Sequence, residues 1–406
     1  MTDPTGWTLN DKKVYSRERL KMTRHTNLLI IGAGPFGLAM AAYAKSLNID
    51  HLILGKPMDF WESNMPEGLI LRSACDWHLD ALNIHTIESY LQTQNATPAD
   101  VEPLSRRFYL GYTKWFQEQK QIEVLPCLVQ RLEHTDSTDN LFKATLDNGE
   151  SITAKNVLLA LGFRYFKNIP AEIAEIVPSG RFSHTCDLVD FAHLSGKRCL
   201  IIGGRQSAYE WAALLHEAGA ARIHVSHRHE TPAFERSDWS WVKPMVDSMV
   251  ENPGWFRNLP PKEKEELIHR FWVEGRLKLE PWLWDRINRD TVKIWPKSRV
   301  VGCDLMQTGE LEVKIDTGNR LTVDHIISAT GYKVNMQKVP LLAEGNILAE
   351  LKIKDGYPVL DENLQSSIPG LFITSTAATQ DFGPFFAFTV SVVASTRIIG
   401  TFIKEK

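Results

Sequence analysis

The stretch "LLIIGAGPFGLAMAAYAK", Leu28 to Lys45, decides how this chain is read. Asn27 to Ile31 is an apolar, β-prone run. "GAGPFG" follows it, and then "LAMAAYAKSLNI", which has helical spacing and small residues. In the order strand, turn, helix, a Gly-x-Gly-x-x-Gly signature has a physical reading. Gly32 permits the tight turn, Gly34 leaves the backbone bare toward a pyrophosphate, and Gly37 lets the helix lie close to the strand. The helix N-terminus, opening at Pro35 and Phe36, offers unpaired N–H groups and partial positive charge to phosphates. A dinucleotide site is expected here. The next strand, "HLIL", lacks the acid that holds a ribose in such folds: the chain reads Leu54-Gly55-Lys56, which leaves the ribose to Lys56 or to backbone groups.

A second stretch, "CLIIGGRQSAYEWAALL" (Cys199 to Leu215), repeats the grammar with changes. Gly203 takes the first glycine position, Arg205 the second and Ala208 the third; Gly204, Gln206 and Ser207 complete the turn. Either Arg205 swings aside and pairs with a phosphate, or it fills the site and blocks it; the intact surroundings favour the first. The strand that follows ends in Ser226-His227-Arg228-His229, with no acid for a ribose 2′-hydroxyl. Arg228 there suits a 2′-phosphate and so NADPH, unless the loop is merely a solvated basic one.

The chain has 406 residues, 43% apolar and 23% charged, with a net charge of −3. That length predicts two or three domains, and that charge balance gives no basic patch for nucleic acid or an anionic membrane. No apolar run is long enough to span a bilayer, and the polar N-terminus has no signal core. Five scattered cysteines without a CxxC pair read as buried thiols in a reducing, cytoplasmic compartment, and no metal-ligand spacing is present.

With both turns placed, the chain resembles the class B flavin-dependent monooxygenases, from about Thr26 to Ile399. The order of motifs carries the likeness. After the intact turn comes "DFWESNMPEGLILRS" (Asp59 to Ser73), similar to the segment that runs past the flavin and containing Trp61. "NVLLALG" then ends at Gly162. "SGRFSHT" sets Gly180 and His184 in a Gly-x-x-x-His spacing, although Pro178 and Leu188 stand where that fingerprint prefers aromatics. "DHIISATGY" (Asp324 to Tyr332), with Thr330, Gly331 and Tyr332, resembles the motif of N-hydroxylating members, with Ser328 in place of an apolar residue.

The resemblance implies an α/β fold with two Rossmann-like domains, the NADPH domain inserted in the FAD domain. The expected parts are an arm (1–25), FAD-binding segments (26–165 and 324–406) and an NAD(P)H domain (166–323) carrying a helical insertion (231–295). It implies FAD and NADPH as cofactors, molecular oxygen and a small molecule as substrates, and oxygen transfer from a C4a-(hydro)peroxyflavin. Arg72, Ser73 and Asp381 become candidates beside the flavin ring, with the helix start at Gly383-Pro384 stabilising its charge. The competing readings are a structural ion pair for Arg72 and an N-cap for Asp381. His184 is expected to couple the domains near the nicotinamide. Thr374-Ser375 stands where related flavoproteins carry Gly-Asp for the ribityl chain.

Seven of the twelve tryptophans (Trp239, Trp241, Trp255, Trp272, Trp282, Trp284 and Trp295) fall in the insertion. They read as a subdomain's own core or as a lid whose aromatics line a pocket. Rival activities are a thioredoxin-reductase-type enzyme, which needs a cysteine pair missing here, a flavin oxidase or dehydrogenase, and an FAD-bound scaffold without catalysis.

Overall fold

The computed structural model describes residues 23–135 and 141–406, so most of the expected arm lies outside the described residues. The first strand already begins at Thr23 and runs to Ile31. Its four apolar residues Leu28 to Ile31 are buried, because the strand lies inside a sheet covered on both faces. The sheet order is Val124–Leu125, His51–Leu54, Thr23–Ile31, Ser151–Leu159, Leu141–Leu146, Val129–Thr135. Leu371–Ile373 returns from the far end of the chain to pair with Val157–Leu159. The helix Pro35–Ser46 buries Ala39, Ala41, Ala42 and Ala44, and these small side chains let it sit deep between the sheet and the C-terminal helix Val392–Glu405.

A second sheet, wholly parallel, has the order Val292–Trp295, Arg222–Ser226, Arg198–Ile202, His325–Ser328, Phe182–His184. Two expected boundaries shift on this account. The strand His325–Ser328 belongs to the second sheet, so the return to the first domain falls after it and not at 324. Val292–Trp295 is the edge strand of the same sheet, which ends the insertion before 292. A three-stranded antiparallel unit, Val300–Leu305, Leu311–Ile315 and Arg320–Val323, packs its own apolar face against Leu200 and Ile326.

The insertion holds the helices Val242–Ser248, Trp255–Asn258, Pro261–Arg276 and Trp282–Ile287, with a two-stranded pairing of Ala233–Phe234 and Lys278–Leu279. It has no separate core. Val242, Val246, Phe256, Leu283 and Ile287 are buried in the same apolar cluster as the first sheet.

Two predictions follow from this packing. A Cβ on Gly37 would lie 1.8 Å from the carbonyl oxygen of Gly32. Gly37→Ala is therefore expected to cost about 3 kcal/mol, read as a lowered urea midpoint. Burial pushes His78, His224, His227 and His325 down to about 4 from 6.5. They stay neutral in the fold and take up protons on unfolding, so their stabilisation is complete above pH 6.5 and falls as the pH drops toward 4. Asp76 and Glu210, raised by burial, act in the opposite sense but are fewer. The urea midpoint should fall between pH 7 and pH 5, above the range where ordinary carboxylates titrate; a flat midpoint there would refute the neutral-histidine account.

Candidate active site

The first turn follows from backbone crowding. Gly32 has φ +110°, donates to the Leu54 carbonyl at 3.0 Å, and leaves only 2.4 Å between an added Cβ and the Ala160 oxygen. Gly34 is the opposite case: no atom lies within 4 Å of its Cβ position, which opens on a cavity of about 880 Å³. Gly34 caps the helix without a side-chain hydrogen bond, so first-turn N–H groups remain for a ligand. This cradle, with Pro35 and Phe36 on its wall, fits the pyrophosphate of FAD.

The missing acid has a local cause. Gly55 sits at φ +130°, with a Cβ position 3.3 Å from the Ala33 nitrogen. A side chain there would be strained. Lys56 lines the cavity, yet its Nζ is paired with Asp59 at 3.1 Å and Glu62 at 3.5 Å. The carboxylate at this corner is Asp59, which the sequence reading passed over. Burial pushes it up, but hydrogen bonds from Arg164 and Lys56 outweigh burial and hold it below the usual range. Trp61 also lines the cavity, and its ring stacks on Tyr109 at 4.7 Å.

The second turn repeats the first. Gly203, at φ +143°, donates to the Ser226 carbonyl at 3.0 Å and stands against the Ala329 oxygen at the same 2.4 Å. Gly204 has no room for a side chain, because a Cβ would meet the His227 ring at 2.4 Å. Arg205 does not fill the turn. Its Nη1 donates to the Arg276 carbonyl and its Cζ lies 5.1 Å from the Trp272 ring centroid, so the side chain runs along the insertion. Gln206 spans from Glu210 (3.1 Å) to the Glu280 N–H (3.1 Å), which ties the turn to the insertion. Ser207 and Arg228 line the cavity.

The chain crosses between the sheets at two matched points. Gly162 (φ +57°) and Gly331 (φ +74°) both have open Cβ space and line the cavity, as do Thr330 and Tyr332. His184 was expected at the cofactor, but its ring is buried away from the cavity. It accepts the Cys186 N–H at Nδ1 (3.2 Å) and donates from Nε2 to the Gly331 carbonyl (3.0 Å), so it fixes the crossing point. Burial lowers its pKa and keeps it neutral in that role. Asp324 is likewise structural: it receives Arg198 at 2.9 and 3.0 Å at the start of its strand.

The flavin end differs most from expectation. Arg72 reaches the cavity wall, but its guanidinium is committed to the Glu280 carboxylate (2.8 Å), the Gly275 and Glu274 carbonyls (2.9 and 3.1 Å) and Ser237. It joins the first domain to the insertion through an ion pair with Glu280 while still lining the cavity. Asp381 stands off the cavity and is no N-cap: it accepts the Leu360 N–H at 2.8 Å and faces Arg257 at 3.6 Å. Gly383 and Pro384 start only a one-turn helix and do not line the cavity; Phe385, Phe388 and Thr389 do. Ser73 lines it too, with Oγ 3.3 Å from Thr389 Oγ1. Thr389 had no sequence signal, because it belongs to no glycine turn. Of the insertion's tryptophans, Trp239 and Trp272 line the cavity with Phe271, while Trp241 packs edge-on to Phe385.

A mixed sheet and a parallel sheet, each with a glycine turn facing one shared cavity, define a two-dinucleotide flavoprotein oxidoreductase. Residues 29–253, more than half the chain, match the pyridine nucleotide-disulphide oxidoreductase family, and the chain belongs to it. It is 22% identical over 360 residues to a thioredoxin reductase of Mycoplasma genitalium, covering 88% of each chain. It is 26% identical to an FAD-dependent urate hydroxylase of Xanthomonas campestris over 127 residues, which span 31% of this chain and only 27% of that protein. An ornithine N-hydroxylase from Kutzneria, solved with reduced FAD, NADP+ and L-ornithine, shares the fold with a TM-score of 0.75 at 15% identity, over 94% of this chain and 99% of that one.

Gly34→Val separates cofactor binding from folding. The open space at that Cβ predicts a variant with the urea midpoint of the wild-type apoprotein and no retained flavin absorbance. A yellow, fully loaded variant would remove the pyrophosphate from this turn.

Proposed function

We propose that the protein is an FAD-dependent, NADPH-using monooxygenase that places one oxygen atom on a small nucleophilic substrate such as an amine, a thioether or a heteroaromatic ring. One observation carries the reading: a single cavity is shared by the first turn, the second turn and the aromatic wall of the insertion. When bound, FAD would supply hydride-accepting and oxygen-activating chemistry, by which substrate, O2, NADPH and a proton would give oxygenated substrate, water and NADP+.

The chain's own residues bind, orient and keep out water. The N–H groups after Gly34 hold the diphosphate of the resident cofactor. Arg205, at the head of the helix Gln206–Glu217, meets the phosphates of the second nucleotide, with Arg228 positioned for a 2′-phosphate. Trp239, Phe271, Phe385 and Phe388 make the reacting end apolar, which shields it from solvent. Within that apolar end, the Ser73 and Thr389 hydroxyls offer hydrogen bonds to a reacting group.

A disulfide reductase needs two thiols close together at the flavin. Cys75, Cys186, Cys199 and Cys303 are pushed up to between about 11 and about 12 by burial, and all five cysteines are free. Cys127 alone lines the cavity among the described residues, next to Leu128 and Val129. A single protonated thiol does not support that chemistry.

The purified protein should be yellow, bleach with NADPH under anaerobic conditions and consume oxygen with NADPH in air. Arg205→Ala should raise KM for NADPH about tenfold or more with a smaller change in kcat, as loss of a charge-assisted phosphate contact requires. Yellow protein that NADPH does not bleach would overturn the reading, and an unchanged KM would release Arg205 from the phosphate role.

A further inference from the structure

The insertion's side of the cavity carries positive charge that the protein does not neutralise. Arg276 ends the helix Pro261–Arg276 and lines the cavity, as does Arg205, whose guanidinium rests on the Arg276 carbonyl. Among the described residues no carboxylate pairs with either one. Arg276 is exposed and Arg205 half-buried, and both guanidiniums stay charged at neutral pH.

The carboxylates that could balance them are committed. Glu280 is held by Arg72, Glu274 by Lys278 at 2.8 Å, and Glu210 by Arg286 at 3.0 Å. Among other lining carboxylates, Asp59 is paired with Lys56 and Arg164. Glu172 has no such pair but sits on the helix Ala171–Ala174, in the wall between the sheets. Trp239 lines the same wall, and Gly275, which precedes Arg276, lies close against its ring. A helix C-terminus favours a cation only modestly, which does not account for two like charges gathered there.

An unpaired guanidinium on an aromatic wall suits an anionic acceptor on an apolar body. Nothing on that wall offers a carboxylate to an ammonium group. With Arg205 taken by the nucleotide's phosphates, we propose that Arg276 holds the carboxylate of the substrate. The substrate is then an organic acid whose planar or apolar body lies against Trp239 and Phe271. This rests on the monooxygenase reading and narrows its substrate class away from simple amines and diamines.

The test uses the FAD-loaded protein with two probes of one shape and opposite charge, 3-phenylpropanoate and 3-phenylpropylamine, titrated against the flavin absorbance spectrum. The acid should shift the spectrum at lower concentration than the amine, and Arg276→Gln should raise the acid's Kd about tenfold or more, with Arg276→Lys recovering part of the loss. Retained flavin absorbance in each variant shows that the fold is intact. The proposal falls if the amine binds first or if neither probe moves the spectrum at millimolar concentration. It falls too if Arg276→Gln raises KM for NADPH while leaving the acid's Kd unchanged, which would make Arg276 a nucleotide contact. Anaerobic bleaching by NADPH without either probe tests the monooxygenase reading separately.

Discussion

Two main-chain contacts set the geometry on which the rest depends. Gly32 is pressed against the carbonyl of Ala160, and Gly203 against that of Ala329, each so closely that a Cβ would lie 2.4 Å from the oxygen. In each case the crowding carbonyl precedes a glycine with positive φ, Gly162 or Gly331, where the chain passes between the sheets. Each turn and its facing crossing point therefore form one packed unit. Because both units face one cavity, two nucleotides bound at the turns would have their reactive ends in a common space. A methyl group at either glycine would displace the crossing strand as well as the turn.

The insertion closes that space and is held by polar contacts from both domains. Arg72 reaches it from the first domain with a guanidinium that meets a carboxylate, two carbonyls and a hydroxyl. Gln206 and Arg205 reach it from the second. The Arg72–Glu280 pair is largely buried, and losing one partner of such a pair costs about 3 kcal/mol or more. The aromatic wall is thus positioned by both nucleotide domains at once. Both anchoring arginines also touch that wall: the Arg72 Cζ lies 5.5 Å from the Trp239 ring centroid and the Arg205 Cζ 5.1 Å from that of Trp272.

Much of this was legible in the sequence. Gly32 and Gly37 are as crowded by backbone as their spacing implies and Gly34 is open, since spacing in a strand–turn–helix reports local backbone geometry. The second turn and its arginine were equally readable, as was an aromatic insertion. What failed were inferences about where long side chains end. Arg72, Asp381 and His184 lie in segments close to the site, but each finds a partner far along the chain: Glu280, Leu360 and Gly331. Such pairings depend on tertiary contacts that no local pattern encodes. Thr389 and Arg276 were missed for the converse reason, since each reaches the cavity from an element with no motif of its own. The boundary at 324 shifted because His325–Ser328 is followed by the return to the first domain yet pairs with the second sheet.

The two turns also differ in how they manage charge, and the difference matches what each would hold. At the first turn the lining cations are balanced: Lys56 and Arg164 share Asp59, and the pyrophosphate is left to backbone N–H groups and a helix terminus. Such groups are fixed before the ligand arrives and lose little freedom when it binds, which suits a resident cofactor. At the second turn the corresponding residue is Arg205, a flexible side chain resting on a carbonyl and an indole. A phosphate held by that guanidinium would have to displace those contacts, which would offset part of the binding energy. Such a weaker net grip would suit a nucleotide exchanged in every turnover, as the proposed function requires of the second one.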